Sequence, residues 1–529
     1  MFNPIVLNQA SLSWPDGTTC LHPISVTFSA GLTGIVGPNG SGKTSLLKLV
    51  TGELAPTTGH ITVTGPVGVL PQDLTLDVTA TVAELLGVAD VLAALAAIES
   101  GEADPRHFEV IGDRWDAEAQ AQRALADAGL DIGLDRGVGT LSGGEAMLIA
   151  IAGLRLARNP VTVLDEPTNN LDADTRARLY SMLQGWPGTL LVASHDVALL
   201  RLADQIAELR DGRLGIHGGN WDTYLAQVET EQQAAQRELA TAEQRLRAEH
   251  RQRAELQQRL ARREKLAARK ATQGIGKMAQ DYLGNRAERS AAKLRTDGAE
   301  DLDAARQAVE AAEAKLRDDQ QIAIDLPDPQ VGSGRRLAEF TDTTGRDHVL
   351  QGPERVALVG PNGVGKTVLI ETLLGLRDQH PSPVQARLLT ERVGYLPQRL
   401  DRTDDDQSVL VNVGRLATLR TSGEIRNRLA RFGLRGDAVH RPMGTLSGGE
   451  RFRATLAGLL LTEPPAQLLI LDEPTNNLDL ATVDVLVAAL AGYRGGLLVV
   501  SHDEDFLTRL GVPRQLVLEP EGIVREVIG

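Results

Sequence analysis

Two short apolar runs, LTGIV (32–36) and RVALV (355–359), each lead into a Gly-rich loop. After each loop the apolar positions take helical spacing, in TSLLKLVTG and TVLIETLLG. Further on, VTVLD (161–165) and LLILD (468–472) are apolar runs that end in aspartate, and GTLLVASHD and GGLLVVSHD follow them. Runs that are apolar at every position, rather than at alternate ones, predict strands covered on both faces. Strands alternating with helical segments predict an α/β fold, a mostly parallel sheet with helices on both faces.

The pattern occurs twice, in one order. GPNGSGKT (37–44) is matched by GPNGVGKT (360–367), and VGVLPQ ending at Gln72 by VGYLPQ ending at Gln398. TLSGGE follows (140–145 and 445–450), then LDEPTNNLD (164–172 and 471–479), then a His-Asp pair at His195 and His502. A shared order of five strings is the mark of a duplicated domain rather than a recurring motif. The spacing predicts a first domain at 1–220, a second at 327–529, and a linker at 221–326. The first copy has about 21 more residues between the Gln and the TLSGGE string, and this places an insertion at about 88–118.

Composition narrows the classes. A chain of 529 residues exceeds one core. A single cysteine, Cys20, excludes a disulfide framework and a Cys-cluster metal site, and fits a reducing cytosol. No apolar window is long enough for a membrane span, and no signal peptide is evident, so a cytoplasmic protein is expected. A formal charge of −15 argues against a general nucleic-acid binder.

The repeated strings carry chemistry. GxxxxGK[ST] is a phosphate-binding loop: its glycines let backbone N–H groups turn inward, and the next helix adds its positive end. The candidates are Gly37, Pro38, Asn39, Gly40, Ser41, Gly42, Lys43 and Thr44, with Gly360, Pro361, Asn362, Gly363, Val364, Gly365, Lys366 and Thr367 in the second copy. Lys43 and Lys366 suit the β- and γ-phosphates of a polyphosphate ligand, and Thr44 and Thr367 suit Mg²⁺. Asp165 and Asp472 end apolar strands, where a carboxylate is costly unless it serves a cation. Glu166 and Glu473 come next and suit polarisation of an attacking water. His195 and His502 suit a catalytic or γ-phosphate-sensing role. Gln72 and Gln398 suit contact with Mg²⁺ and that water.

Phosphate loop, glutamine, LSGG, the LDEP strand end and a late histidine together resemble the nucleotide-binding domain of ATP-binding-cassette (ABC) proteins. The resemblance implies that two ATP molecules are sandwiched head to tail. The site of Lys43 and Glu166 is then completed by Ser447, Gly448 and Gly449, and that of Lys366 and Glu473 by Ser142, Gly143 and Gly144. Asn169–Asp172 and Asn476–Asp479 resemble the loop through which such sites communicate. The family stacks adenine on an aromatic upstream of the phosphate loop. Trp14 fits; in the second copy Phe340 is the nearby aromatic. LSGGEAMLIA lacks the basic Arg451 and Arg453 of LSGGERFRAT, a departure that allows unequal hydrolysis at the two sites.

Residues from about 221 to 317 hold no proline and are rich in Ala, Gln, Glu and Arg. Leu239, Ala242, Leu246, Leu256 and Leu260 partly keep spacings of three and four, and Leu302, Ala305, Val309, Ala312 and Leu316 keep them throughout. Glycines at 274, 276 and 284 separate the two series, so an antiparallel helical hairpin with an arm of roughly 65–70 Å is expected. Its tip carries Arg262, Arg263, Lys265, Arg269, Lys270, Lys277, Arg286, Arg289, Lys293 and Arg295 against three acids. An excess of +7 in an acidic chain suits contact with nucleic-acid phosphates, of RNA or DNA.

Two cassettes, a charged helical linker and no membrane span resemble the ABC-F family. The resemblance implies a monomeric ATPase whose two cassettes pair within one chain. It further implies ribosome binding in the ATP-bound state, with the linker reaching rRNA and tRNA near the exit and peptidyl sites. The long linker and short insertion look most like the members that protect translation from ribosome-targeting antibiotics. A general translation factor, the motor of a drug exporter and a DNA-repair ATPase remain as alternatives.

Overall fold

The apolar runs form the middle of two six-stranded sheets. The computed structural model describes residues 5–70, 79–102, 104–270, 296, 299–315, 326–377, 382–398, 404–417 and 421–528. In the first half the order across the sheet is Val67–Leu70, Val161–Asp165, Thr189–Ala193, Gly31–Val36, Gln205–Arg210 and Arg213–Gly218. Neighbours run parallel except for the last pair, which is antiparallel. The second half repeats the order with Val393–Leu396, Leu468–Asp472, Gly496–Val500, Arg355–Val359, Arg514–Leu518 and Val524–Ile528. Val161–Asp165, Thr189–Ala193, Leu468–Asp472 and Gly496–Val500 are buried at every residue. A fully buried Leu or Val contributes about 2 kcal/mol, so these central strands anchor each half.

One expectation is corrected. Helices do not alone cover both faces of the large sheets. Each half adds a three-stranded antiparallel sheet: Thr19–Phe28, Ile5–Ser13 and Thr58–Val63, then Asp347–Gly352, Arg335–Thr341 and Gln385–Leu388. In the second half Leu337, Phe340 and Leu350 of this small sheet share a core with Leu369 and Ile370 of the phosphate-loop helix and Val356 and Leu358 of the large sheet. The other face packs on helices, through Val409, Val413, Leu456 and Leu486. The extra residues of the first half form the helices Ala89–Glu99 and Pro105–Ile111, with a small core of Val91, Ala94, Ile111 and Ala117.

The chain divides into two compact units, Met1–Trp221 with Gln321–Gly529, and Asp222–Gln320. Both cassettes therefore lie in one unit. A helix of 50 residues, Trp221–Lys270, all but its first residue in the second unit, extends about 75 Å at 1.5 Å per residue. Residues 299–313 are helical and bury Leu302, Ala305 and Ala312, with Val309 half-buried, as the three-four spacing requires. Lys315 Nζ donates to Glu238 Oε1 at 2.7 Å, which brings the two arms side by side. Leu316 and the glycines between the arms lie outside the described residues. So do Lys277, Arg286, Arg289, Lys293 and Arg295. Arg262, Arg263, Lys265, Arg269 and Lys270 belong to the long helix, where Arg262 and Lys265 are exposed. Among the described residues, no helix is long and apolar enough to cross a membrane.

Candidate functional site

Each phosphate loop joins a central strand to a helix. Gly31–Val36 leads through residues 37–42 to Lys43–Thr51, and Arg355–Val359 leads to Lys366–Leu373. Gly37 has φ +155°, and a Cβ there would lie 2.2 Å from the carbonyl oxygen of Leu209; at Gly360 the clash would be with Leu518 O at 2.4 Å. The strand beside each loop leaves no room for a side chain. Lys43 Nζ donates to the carbonyls of Gly37 (2.8 Å) and Pro38 (3.2 Å), and Lys366 Nζ does the same with Gly360 (2.7 Å) and Pro361 (3.0 Å). Burial lowers the pKa of both lysines. Glu166, Asp479 and Asp165 oppose this at Lys43; Glu473, Asp172 and Asp472 oppose it at Lys366. One of the three acids in each set comes from the opposite half.

Glu166 and Glu473 follow the ends of buried strands, and both hold left-handed backbone conformations, φ 49° and 46°. Such a conformation costs a non-glycine residue of order 1 kcal/mol and marks a geometry imposed from outside. The imposed contact is a backbone bond: Glu166 N–H donates to Ala193 O and Glu473 N–H to Val500 O, each at 2.9 Å. Those carbonyls end the strands that carry the histidines, so His195 Nε2 lies 3.4 Å from Glu166 Oε1, and His502 Nε2 lies 3.4 Å from Glu473 Oε1. Burial pushes Glu166 up to about 8 and Glu473 to about 7, with Lys43 and Lys366 opposing. Burial also lowers His195 to about 3 and His502 to about 4, so both imidazoles are neutral near pH 7. A carboxylate with a pKa near 7 suits proton acceptance from water.

The two sites differ in detail. Lys366 Nζ is 2.9 Å from His502 Nε2, whereas neither ring nitrogen of His195 has a hydrogen-bond partner among the described residues.

The halves grip each other by reciprocal contacts. Asn39 N–H donates to Asp479 Oδ2 at 2.7 Å, and its side-chain amide donates to Asn477 O at 2.9 Å. In mirror image, Asn362 N–H donates to Asp172 Oδ2 at 3.1 Å, and its amide donates to Asn170 O at 2.8 Å. Asp172 and Asp479 also cap helices, accepting from Thr175 N and Thr482 N. Burial alone would raise Asp479; the bonds from Thr482 and Asn39 outweigh it and hold the carboxylate below its ordinary value.

Ser142 and Ser447 each cap a helix, Gly143–Ala157 and Gly448–Leu460, in reciprocal boxes with Glu145 and Glu450. A Cβ on Gly144 would meet Thr175 at 3.1 Å, and one on Gly449 would meet Thr482 at 3.2 Å. Each LSGG thus abuts the helix whose capping aspartate holds the opposite phosphate loop.

Trp14 borders a cavity of about 370 Å³ together with Lys43, Thr44, Asp165, Glu166, His195 and Asn477 of the other half. Phe340 does not serve the second site in this way. It is 2% exposed and belongs to the core under the small sheet. The position matching Trp14 is Asp342: Trp14 N–H bonds Thr18 O, Asp342 N–H bonds Arg346 O, and each residue follows the edge of its first strand. Gln398 borders a cavity with Gly448, Glu473 and Asn476, while Gln72 lies outside the described residues.

The sequence profile of the ABC transporter family matches residues 21–169 and 348–476, just over half of the chain. The energy-dependent translational throttle protein EttA of Mycobacterium tuberculosis is 32% identical over 92% of this chain and 87% of its own length. The tylosin resistance ATP-binding protein TlrC of Streptomyces fradiae is 32% identical over 93% of this chain and 94% of its own. The ATP-binding protein Uup of Escherichia coli is 30% identical over 89% and 74%. The chain belongs to the ABC-F family. As an ABC-F protein it binds and hydrolyses ATP. Its fold is also similar to that of the archaeal ribosome recycling factor aABCE1, solved with stalk protein aP1, at a TM-score of 0.59 and 19% identity over 98% of this chain and 89% of that one.

The residues present fit Mg²⁺. Both carboxylate oxygens of the fully buried Asp472 make no hydrogen bond of normal geometry among the described residues. Burial raises Asp472 and Asp165; the hydroxyls of Thr367 and Thr44 and the loop lysines oppose it, which puts a hydroxyl beside each carboxylate. Among the described residues no cluster of three His, Cys, Asp or Glu side chains forms a closed cage. A hydroxyl, a glutamine and one carboxylate instead suit a cation that keeps waters and phosphate oxygens as ligands.

Proposed function

We propose that this ABC-F protein is a cytoplasmic, ribosome-associated ATPase that binds the ribosome when ATP holds its cassettes together, and that protects translation from ribosome-targeting antibiotics. The observation that carries the reading is the reciprocal grip of Asn39 on Asp479 and of Asn362 on Asp172, because it joins each phosphate loop to the half that bears the opposite LSGG. Support for the ribosome comes from relatives named for translational throttling and tylosin resistance, and from the basic stretch of the linker.

The chemistry follows from the residues. Lys43 and Lys366 leave their loop carbonyls for the β- and γ-phosphates, and the loop N–H groups and helix N-terminus add positive potential. Ser447, Gly448 and Gly449 close over the first ATP, and Ser142, Gly143 and Gly144 over the second. Trp14 stacks on the first adenine. Thr44, Gln72 and Asp165, and Thr367, Gln398 and Asp472, would hold Mg²⁺, which would neutralise phosphate charge. Glu166 or Glu473 orients water and accepts its proton as the oxygen attacks the γ-phosphorus. The bond to the β–γ bridging oxygen breaks, and its electrons leave with ADP. Neutral His195 and His502, each 3.4 Å from its glutamate, serve catalysis or sense the γ-phosphate. Loss of the γ-phosphate weakens the cross-half grip, and the linker roots separate. Arg262, Arg263, Lys265, Arg269, Lys270, Lys277, Arg286, Arg289, Lys293 and Arg295 then give up their RNA phosphates near the exit and peptidyl sites.

A general translation factor is the second reading, because EttA and TlrC are equally similar to this chain. Two experiments separate them. Glu166→Gln with Glu473→Gln is expected to co-sediment with ribosomes in ATP but not in ADP; failure to do so removes the ribosome from the account. Expression in a susceptible host is expected to raise the inhibitory concentration of a ribosome-targeting drug. An unchanged panel favours the translation factor.

A further inference from the structure

The helices Ala173–Leu183 and Leu480–Ala491 follow the capping aspartates Asp172 and Asp479 and occupy equivalent places in the two halves. At equal distances past the caps the first half has Arg176 and Tyr180, and the second has Val483 and Val487. Two side chains that carry donors are matched by two that carry none. The His-Asp pairs keep the same offset between the copies, so Asp196 and Asp503 are equivalent as well.

In the first half both donors meet Asp196. Tyr180 OH donates to Asp196 Oδ2 at 2.7 Å, and Arg176 Nη1 lies 3.7 Å from the same oxygen. The Asp196 side chain is only 10% exposed, so the phenol satisfies a carboxylate that water barely reaches. Burial, and then the Asp196 charge itself, raise the pKa of the phenol, so it keeps its proton and remains the donor. Asp196 Oδ1 caps the helix Val197–Leu200 by accepting from Leu199 N at 3.0 Å. The Asp196 N–H donates to Ser194 Oγ at 3.1 Å. Backbone and both carboxylate oxygens of Asp196 are thus anchored, the last of them by Tyr180.

His195 sits between Ser194 and Asp196 in that turn. Its Nε2 is 3.4 Å from Glu166 Oε1, yet neither ring nitrogen has a hydrogen-bond partner among the described residues. The turn, rather than a bond to the ring, therefore sets where the imidazole stands. The second half is built otherwise. Asp503 keeps the two local bonds, from Phe506 N at 2.9 Å and to Ser501 Oγ at 3.1 Å, but Val487 in place of the phenol cannot donate. There the ring itself is held, with His502 Nε2 at 2.9 Å from Lys366 Nζ. One histidine is steadied through its neighbouring aspartate, the other through its ring.

We propose that Tyr180 is a positioning residue for the first ATP site. Its bond to Asp196 fixes the turn that carries His195 beside Glu166, and the second site works without it. The inference rests on the assignment of Glu166 and His195 to hydrolysis and goes beyond it, because it makes the two sites unequal through one hydroxyl.

The test is made in full-length protein with one site silenced. In the Glu473→Gln background the first site alone turns over. There Tyr180→Phe, which removes a single oxygen, is expected to lower kcat about fivefold, with the KM for ATP changed by less than about twofold. In the Glu166→Gln background the same change is expected to lower kcat by less than about twofold. Equal losses in the two backgrounds, or a loss carried by KM alone, overturn the proposal. A crystal structure of the Tyr180→Phe protein is the second measurement and needs no turnover. His195 is expected to draw away from Glu166 while His502 keeps its 3.4 Å from Glu473. A His195 still 3.4 Å from Glu166 overturns the proposal. If Glu166→Gln with Glu473→Gln leaves the parent rate undiminished, the glutamate assignment has failed instead, and the structure alone decides the role of Tyr180.

Discussion

The backbone N–H of Asn39, in the first phosphate loop, donates to the carboxylate of Asp479, 440 residues further along the chain, at 2.7 Å. The same carboxylate caps a helix through Thr482 N at 2.8 Å. One side chain thus serves local helix stability and the union of the halves. Asp479→Ala is expected to lose about 1 kcal/mol of stability with the cap. It also loses a charge-assisted bond between the halves, so ATPase activity should fall at least about tenfold. Calorimetry and steady-state rates of the variant check the two losses separately.

Glu166→Gln and Glu473→Gln, each alone and together, are expected to slow hydrolysis. The double variant should lose about 10²–10⁴ in rate, the range for removing a general base. A phosphate-release assay reads it directly.

The same glutamates set a pH dependence of folding. In the folded protein they titrate near 8 and near 7, above the 4.5 of an exposed glutamate. Folding then binds extra protons, so their contribution is complete below pH 4.5 and is lost as pH rises through 7 and 8. The buried histidines work the other way. Their folded values of about 3 and about 4 lie below 6.5, so their contribution is present above pH 6.5 and lost as pH falls. Between pH 6.5 and 8.5 the glutamates dominate. Nucleotide-free protein should melt at lower temperature at pH 8.5 than at pH 6.5, and the double Gln variant should show a smaller difference. Thermal denaturation at the two pH values measures both.

Trp14→Ala should weaken ATP at one site and not at the other, because the matching position is Asp342. Loss of a base–aromatic stack costs about 1–3 kcal/mol, or roughly tenfold or more in affinity. Isothermal titration of the Glu166→Gln, Glu473→Gln protein should show a tighter and a weaker site, and Trp14→Ala should move the tighter one toward the weaker. A uniform shift at both sites would contradict the assignment.

Local motifs made most of this legible from the chain alone. The phosphate loops, the LDEP strand ends and the histidines each carry their chemistry within a few residues, and all lie where buried strands end. What was not legible depends on contacts without local signature. The small antiparallel sheets are short alternating strands such as IVLNQASLS, whose pattern is broken by register shifts. Phe340 resembled a base-stacking aromatic by its position in the chain, but alternation along its strand turns it into the core. The asparagines of GPNG gave no sign that they would bond to the other copy's nonapeptide.

Charge reversal of Arg262, Arg263 and Lys265 to Glu is expected to reduce ribosome co-sedimentation and to flatten its dependence on salt, since each lost phosphate contact lowers the slope by about one. Binding that is unchanged at several salt concentrations would remove these residues from the RNA contact.

A structure of the Glu166→Gln, Glu473→Gln protein with ATP and Mg²⁺ tests the central claim most directly. The account predicts two nucleotides, the first touched by Lys43 and Ser447, the second by Lys366 and Ser142, with the Asn39–Asp479 and Asn362–Asp172 bonds intact. Halves standing apart, with each nucleotide held by a single cassette, would contradict it.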